Sequence, residues 1–438
     1  MKTKKTISSL MAGAAACSML LTGVGSQGVT EVKADDKVQI RFLNGFTGGD
    51  GEYMRKITDG FNESQDKYEI VESQEKDHYL KFKSGEYDLV VIHGDRLKTF
   101  ADDGMIQDVS SVYEKAGIEL TDYLEAAQEI VQVDGTTYAF PLDIHPLVMF
   151  YNKQLCPEAP ETYEDIKALN EELQAKDPNT YAMGIPGLGL VEYYYMTLAN
   201  QNGIELQDGE ALKFDTEEFA DALMTYHDMI FTDKVSPSKL GLDGEFKTFV
   251  QDEESAGGTQ TAIALTGPWY YQAAKEKYGD DLGIAPVPTL GKEKAVYGNA
   301  HTIAVPSRVE DEEVLDGIAE FMKYLYTPEN LINWADAGQA PTHIATMEAI
   351  QKEADKYPLA CANYEQFENC KIAPQVYNVG EQLKYLNENV FNMVVSTEDL
   401  TKEDLMKRTG KSDKDSAAGS RRLLIKGKAM REGFVLPF

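Results

Sequence analysis

The chain has 438 residues, 42% of them hydrophobic, and a formal charge of −31. That length exceeds what one core ordinarily supports, so two domains are expected, and the hydrophobic share excludes a disordered chain. A surface this acidic repels nucleic acid and anionic lipid, and spread along helix faces it keeps an exported protein soluble, so net charge by itself names no ligand.

The first residues read as an address. Lys2, Lys4 and Lys5 precede an apolar run through Leu10, Ala14 to Ala16 and Met19 to Leu21, the order of a secretory signal. The segment is broken by Ser, Thr and Gly and is poorly suited to a permanent span. Val32-Lys33-Ala34 offers a small-x-small cleavage site, so residues 1–34 are expected to be a signal peptide. Cys17 is a rival processing point at which a lipid could be attached, although Gly13 and Ala14 are not the bulky aliphatic residues that reading asks for. Cys361 and Cys370 either close a small loop or stay free on a helix and the turn after it, which leaves Cys156 without a partner. No Cys/His spacing resembles a zinc site, and no metal or cofactor is expected.

Strands and helices then alternate. Val38 to Leu43 alternates as a strand, the small-residue turn Asn44 to Gly51 follows, and Glu52 to Phe61 carries apolar residues at helical spacing with Asp50 at the N-cap position. Tyr68 to Val71 is a second strand. Tyr87 to Ile92 is a third, apolar throughout as a strand covered on both faces should be; it ends at His93-Gly94-Asp95-Arg96, with a helix from Leu97. This alternation predicts an α/β fold with a parallel sheet, whose ligands collect beyond the carboxyl ends of the strands. No GxGxxG or P-loop is present, so nucleotides are not indicated. Phe140 to Lys153 is an apolar strand interrupted by Asp143, His145 and Pro146. Proline cannot donate to a ladder, so the strand either bends or changes sheets there, or lies at an edge with surface polars.

From Thr162 the pattern is mostly helical: Tyr163 to Lys176, a helix to Asn200, Glu217 to Ile230, Gly244 to Gln251, Val314 to Leu325 and Pro328 to Ala337. Tyr181 to Pro186, Thr261 to Leu265, Leu282 to Pro286 and Ala300 to Val305 read as strands. Everything after Gly338 reads as helical, with a mobile loop at the polar tract Gly410 to Ser420. Trp269 stands at the first turn of a helix after the strand Thr261 to Leu265. Its ring either anchors a core or offers a face to a sugar, with Tyr193 beside Glu192 as a second aromatic group. His227, on a helix, reads as structural.

Several segments together resemble the family 1 extracellular solute-binding proteins, the group that includes the maltose-binding protein. They are Gly45 to Tyr53, Asp88 to Arg96, Pro141 to Pro146 with Tyr151-Asn152-Lys153, Thr266 to Trp269, Ala285 to Pro288 and His301 to Pro306. They occur in the family's order, from about residue 38 to about 345. The resemblance implies a two-lobed periplasmic-binding-protein-like fold of type II, each lobe a sheet flanked by helices, with hinge strands crossing between them. Lobe 1 would take 37–143 and 300–336, and lobe 2 would take 147–295 and 342–438. Crossings would lie at Asp143 to Pro146, near His301, and at Gly338 to Thr342.

The resemblance also implies ligand-binding residues: Thr47, Asp50 and Glu52 in the first turn, Asp95 and Arg96 after the third strand, and Asp143, His145 and His301 at the crossings. Trp269 would stack on the ligand, with Glu192 or Tyr193 from the second lobe and Trp334 near the third crossing. The chain departs from the pattern after Gly338, where Gln-Ala-Pro-Thr replaces the basic residue often seen after the proline. The implied function is capture of a mono- or oligosaccharide and its delivery to the permease of an ABC importer, by a monomer without chemistry. Two other functions fit the same residues. A secreted carbohydrate-active enzyme would use a pair among the carboxylates, and a binder of a polyamine-like cation would use the aromatics, against which Arg96 argues.

Overall fold

A computed structural model describes residues 37–252 and 257–431. The signal segment, with the alternatives at Ala34 and Cys17, lies outside the described residues. The strands are, in chain order, β1 (Val38–Asn44), β2 (Tyr68–Gln74), β3 (Leu89–His93), β4 (Gln132–Val133), β5 (Thr136–Thr137), β6 (Ala139–Pro146), β7 (Val148–Asn152), β8 (Thr180–Met183), β9 (Gln207–Asp208), β10 (Ala211–Leu212), β11 (Gln260–Thr266), β12 (Leu282–Ala285), β13 (Val296–Ala304) and β14 (Cys370–Ile372). Strands β4 and β5, and β9 and β10, form two short hairpins.

The first sheet runs β14-β13-β3-β1-β2, with β6 also on β13. Strands β1, β2 and β3 are parallel as the alternation predicts. Strand β13 runs antiparallel to β3 and to β6, so the sheet is mixed. The second sheet, β12-β7-β11-β8, pairs β11 with β8 in parallel and β7 antiparallel to β11 and β12. Two large cores follow. Phe42, Phe61, Ile92, Phe140 and Phe321 lie in one, and Leu147, Tyr194, Tyr226, Phe391 and Leu405 in the other.

The interrupted strand changes sheets. All eight residues of β6 are buried against β13; one residue later, β7 joins the second sheet. The edge-strand alternative fails on that burial. The register slips between His301 and Thr302, beside Pro141, where the missing N–H breaks the ladder least. On its other side β6 meets the chain after Gly338: Ile144 N donates to Ala340 O at 3.4 Å and Thr342 N to Leu142 O at 3.3 Å.

Two expectations for the C-terminal third are overturned. Strand β14 lies in the stretch read as wholly helical and pairs parallel with Val296 to Gly298. The polar tract Gly410 to Ser420 belongs to the helix Lys402–Arg431. Docking fixes it there. Asp413 accepts the backbone N–H groups of Phe214 (2.7 Å) and Asp215 (3.1 Å), and the Ser416 hydroxyl donates to Gln382 O at 2.7 Å. Such tertiary contacts override weak local propensity. Among the described residues the cysteines are free thiols, so Cys361 and Cys370 are not joined.

Candidate functional site

The turns after the parallel strands open onto one cavity of about 770 Å³. The first wall is the turn after β1. It stays tight because a side chain on Gly51 would put Cβ 2.2 Å from Phe46 O. Thr47 and Asp50 line the cavity there. Asp50 is not the side-chain cap its position suggested: it has helical φ and ψ and makes no cap bond. Its carboxylate is buried, and Oδ1 has no hydrogen-bond partner among the described residues. Burial, the largest influence on it, raises its pKa.

The second wall follows β3. Asp95 and Asn299 are reciprocally paired: Asn299 Nδ2 donates to Asp95 Oδ1 at 3.0 Å, and Asp95 N donates to Asn299 Oδ1 at 3.2 Å. Arg96 reaches Asp95 Oδ2 at 3.9 Å and lies 5.2 Å from the centre of the Tyr79 ring. Opposite stands the helix Val191–Gln201, which supplies Glu192 and Tyr193. The Tyr297 hydroxyl donates to Glu192 Oε1 at 2.6 Å. Burial and then the nearby Asp95 push the Glu192 carboxyl up to about 7. Trp269, half-buried in the turn after β11, stands T-shaped to His145 at 6.2 Å between centroids.

The floor is built from strand pairing. His145 on β6 and His301 on β13 both aim Nδ1 at Asp143, at 2.8 Å and 2.9 Å, and Trp334 Nε1 donates to the same carboxylate at 2.6 Å. Asp143 and Trp334 are wholly buried. Burial alone would raise the Asp143 carboxyl; the field of His301 and the hydrogen bonds from both imidazoles outweigh it and hold the group far below the usual carboxylate range.

A family model described as "Bacterial extracellular solute-binding protein" matches residues 47–332. The chain belongs to that family. A maltooligosaccharide ABC transporter solute-binding lipoprotein of Streptococcus pneumoniae is 23% identical to this solute-binding protein over 303 residues, covering 66% of this chain and 67% of the relative. A sn-glycerol-3-phosphate-binding periplasmic protein of Yersinia pestis is 23% identical over 349 residues, covering 72% and 76%. Among solved structures, the GacH receptor of Streptomyces glaucescens superposes with a TM-score of 0.71 at 19% identity, covering 86% of this chain and 99% of that one. That likeness shows the fold: two lobes of helix-flanked sheet with strands crossing between them.

Nine of the expected binding residues line the cavity of this solute-binding protein: Thr47, Asp50, Asp95, Arg96, His145, Glu192, Tyr193, Trp269 and His301. Three do not. Glu52 is exposed on the helix Gly51–Ser64 outside the lining, because it is Asp50, not Glu52, that the turn directs inward. Asp143 and Trp334 lie beneath the floor, because the face of β6 that carries His145 is covered by Trp334 at that depth. Sequence reasoning also missed wall residues. His93 closes β3 in the same polar turn that singled out Asp95 and Arg96, and Asn299 precedes His301 by two positions on β13, so it shares that face. Lys76, His78 and Tyr79 follow the end of β2, which runs on to Gln74 beyond the Tyr68 to Val71 strand that the sequence suggests.

Proposed function

We propose that this protein captures a mono- or oligosaccharide between its lobes and hands it to the permease of an ABC importer. The observation that carries the reading is the pairing of the Trp269 ring with a buried, unpartnered Asp50 oxygen on the wall of one cavity. A sugar meets both needs. Its C–H face covers an indole, and its hydroxyls donate to a carboxylate without adding charge. The 770 Å³ cavity is in the range of small-ligand sites. The name of the Streptococcus relative supports a maltooligosaccharide as the first probe.

The lobes take residues 37–143 with 300–336, and 147–295 with 342–438. Closure between them needs only small backbone changes at the crossings. The protein acts as a monomer, without catalysis, outside the cell. Cleavage near Ala34 releases it; the relative's lipoprotein name supports a lipid at Cys17 as the alternative reading. No helix of the described residues is long and apolar enough to cross a membrane.

A thermal-shift panel of sugars, amines and glycerol phosphate tests the reading. A sugar at a hundred times its Kd should stabilise the fold by about 2.7 kcal/mol. That gain should disappear in Trp269→Ala at the same sugar concentration. Saturable stabilisation by amines or glycerol phosphate but by no sugar overturns it, and release of sugar products would make the protein an enzyme.

A further inference from the structure

The floor of the cleft carries a grouping that capture of a neutral sugar does not require. One ring nitrogen from each of His93, His145 and His301 lies within 4.8 Å of the others. The ring centroids of His145 and His301 are 4.2 Å apart, and those of His93 and His301 4.9 Å. These residues sit on adjacent strands of one sheet: His301 pairs with His93 across β13 and β3, and with Asp143 across β13 and β6. Strand pairing holds them, which gives the precision that loops lack.

The hydrogen bonds define what each ring can offer. Asp143 lies 2.8 Å from Nδ1 of His145 and 2.9 Å from Nδ1 of His301, so in the neutral form of each ring the Nδ1–H is committed to the carboxylate and Nε2 carries the lone pair. The Tyr79 hydroxyl accepts the His93 backbone N–H at 2.8 Å and lies 2.6 Å from Nδ1 of that ring, a partner that can hold the Nδ1–H tautomer as well. Trp334 in turn fixes Asp143. Carboxylate-oriented imidazoles of this kind are the usual surroundings of a metal-bound histidine.

We propose that His93, His145 and His301 form a binding site for one divalent transition-metal ion of the zinc class on the floor of the cleft. Imidazole nitrogen is the ligand such ions favour. Metal–nitrogen bonds of about 2.0–2.1 Å in a tetrahedral set place the nitrogens roughly 3.4 Å apart, so small side-chain rotations complete the geometry. Three protein ligands leave a coordination position open to the cavity, where a water or a ligand oxygen binds. The site depends on the sheet alone and holds whatever sugar the cleft takes.

The test is metal titration of the whole exported chain after chelator treatment, with no sugar present. Co²⁺ should give a visible d–d absorption that saturates at one ion per chain and is displaced by Zn²⁺. His93→Gln and His145→Gln should each weaken binding by at least about tenfold, Asp143→Asn by about 10–100-fold, and His227→Gln, on a helix outside the cavity, should change nothing. Melting curves of the metal-free variants separate lost ligands from lost folding, and the wild-type spectrum and stoichiometry decide the matter if a variant does not fold. Absence of a saturable Co²⁺ spectrum in the wild type, or binding that His93→Gln and His145→Gln leave intact, overturns the proposal. Sugar-induced stabilisation that persists in chelator-treated protein would leave the capture function standing in either case.

Discussion

Trp334→Phe isolates the support beneath the floor. The substitution keeps an aromatic ring against Phe46, whose centroid is 4.8 Å away, but deletes the N–H that donates to Asp143 Oδ2 at 2.6 Å. A hydrogen bond to a charged, buried acceptor is worth about 1.5–3 kcal/mol. The smaller ring also leaves a void of ~40 Å³, which at ~24 cal/mol per Å³ adds roughly 1 kcal/mol. The expected loss is therefore about 3 kcal/mol. Urea unfolding followed by far-ultraviolet circular dichroism measures it without relying on tryptophan emission, and the midpoint should fall while the slope stays constant. The same substitution in an Asp143→Asn background supplies the control. There the acceptor is neutral, so Trp334→Phe should cost less by about 1.5 kcal/mol. A loss below about 0.5 kcal/mol, or equal losses in the two backgrounds, would show that the indole N–H does not hold the carboxylate.

Glu245 gives a pH test away from the cleft. Burial pushes its carboxyl up from 4.5 to about 7, and Oε2 has no hydrogen-bond partner among the described residues. A raised carboxyl favours the protonated folded state, so its contribution is complete below pH 4.5 and is lost as pH rises through about 7. That loss amounts to about 3 kcal/mol. Glu245→Gln should remove this slope, and a wild-type-minus-variant difference that stays flat between those pH values refutes the assignment. Asp50→Ala should weaken ligand binding about 10–100-fold by calorimetry, as loss of a bond to a buried charge requires, while Glu52→Ala, on the exposed helix face, should leave affinity unchanged. Gly338, with φ of +91°, would place a Cβ 2.7 Å from Leu359 Cδ2, whereas Gly104, with φ of +67°, has open space. Gly338→Ala should therefore cost more than the roughly 1 kcal/mol that left-handed backbone alone imposes on Gly104→Ala, and equal melting temperatures for the two variants would rule out the clash.

The elements most legible in the sequence are those in which composition and position agree. Strand β3 is apolar on both faces and lies inside a sheet, and the polar residues just past its end line the cavity. Trp269 obeys the same rule at the end of β11. What one chain of letters does not contain is depth. Asp143 and His145 are two positions apart and so share a face of β6. Asp143 is roofed by Trp334, from a helix far along the chain, whereas His145 faces the cavity. The two are equally plausible cleft residues until the third crossing is placed.

The histidine cluster shows the same limit from the other side. A zinc motif is legible when its ligands lie on one turn or helix, because spacing then substitutes for distance. Here His93, His145 and His301 meet only because β3 and β6 each pair with β13. The helix over Gly410 to Ser420 is hidden from local pattern for a related reason: its stability comes from contacts with Phe214, Asp215 and Gln382, which no local window contains. The polar floor thus has two layers with separable readouts. Substitutions in the residues that touch the cavity should move affinity and leave folding nearly unchanged, whereas substitutions in Asp143 and Trp334 should move stability first. Affinity should then fall only as far as the imidazoles lose their orientation.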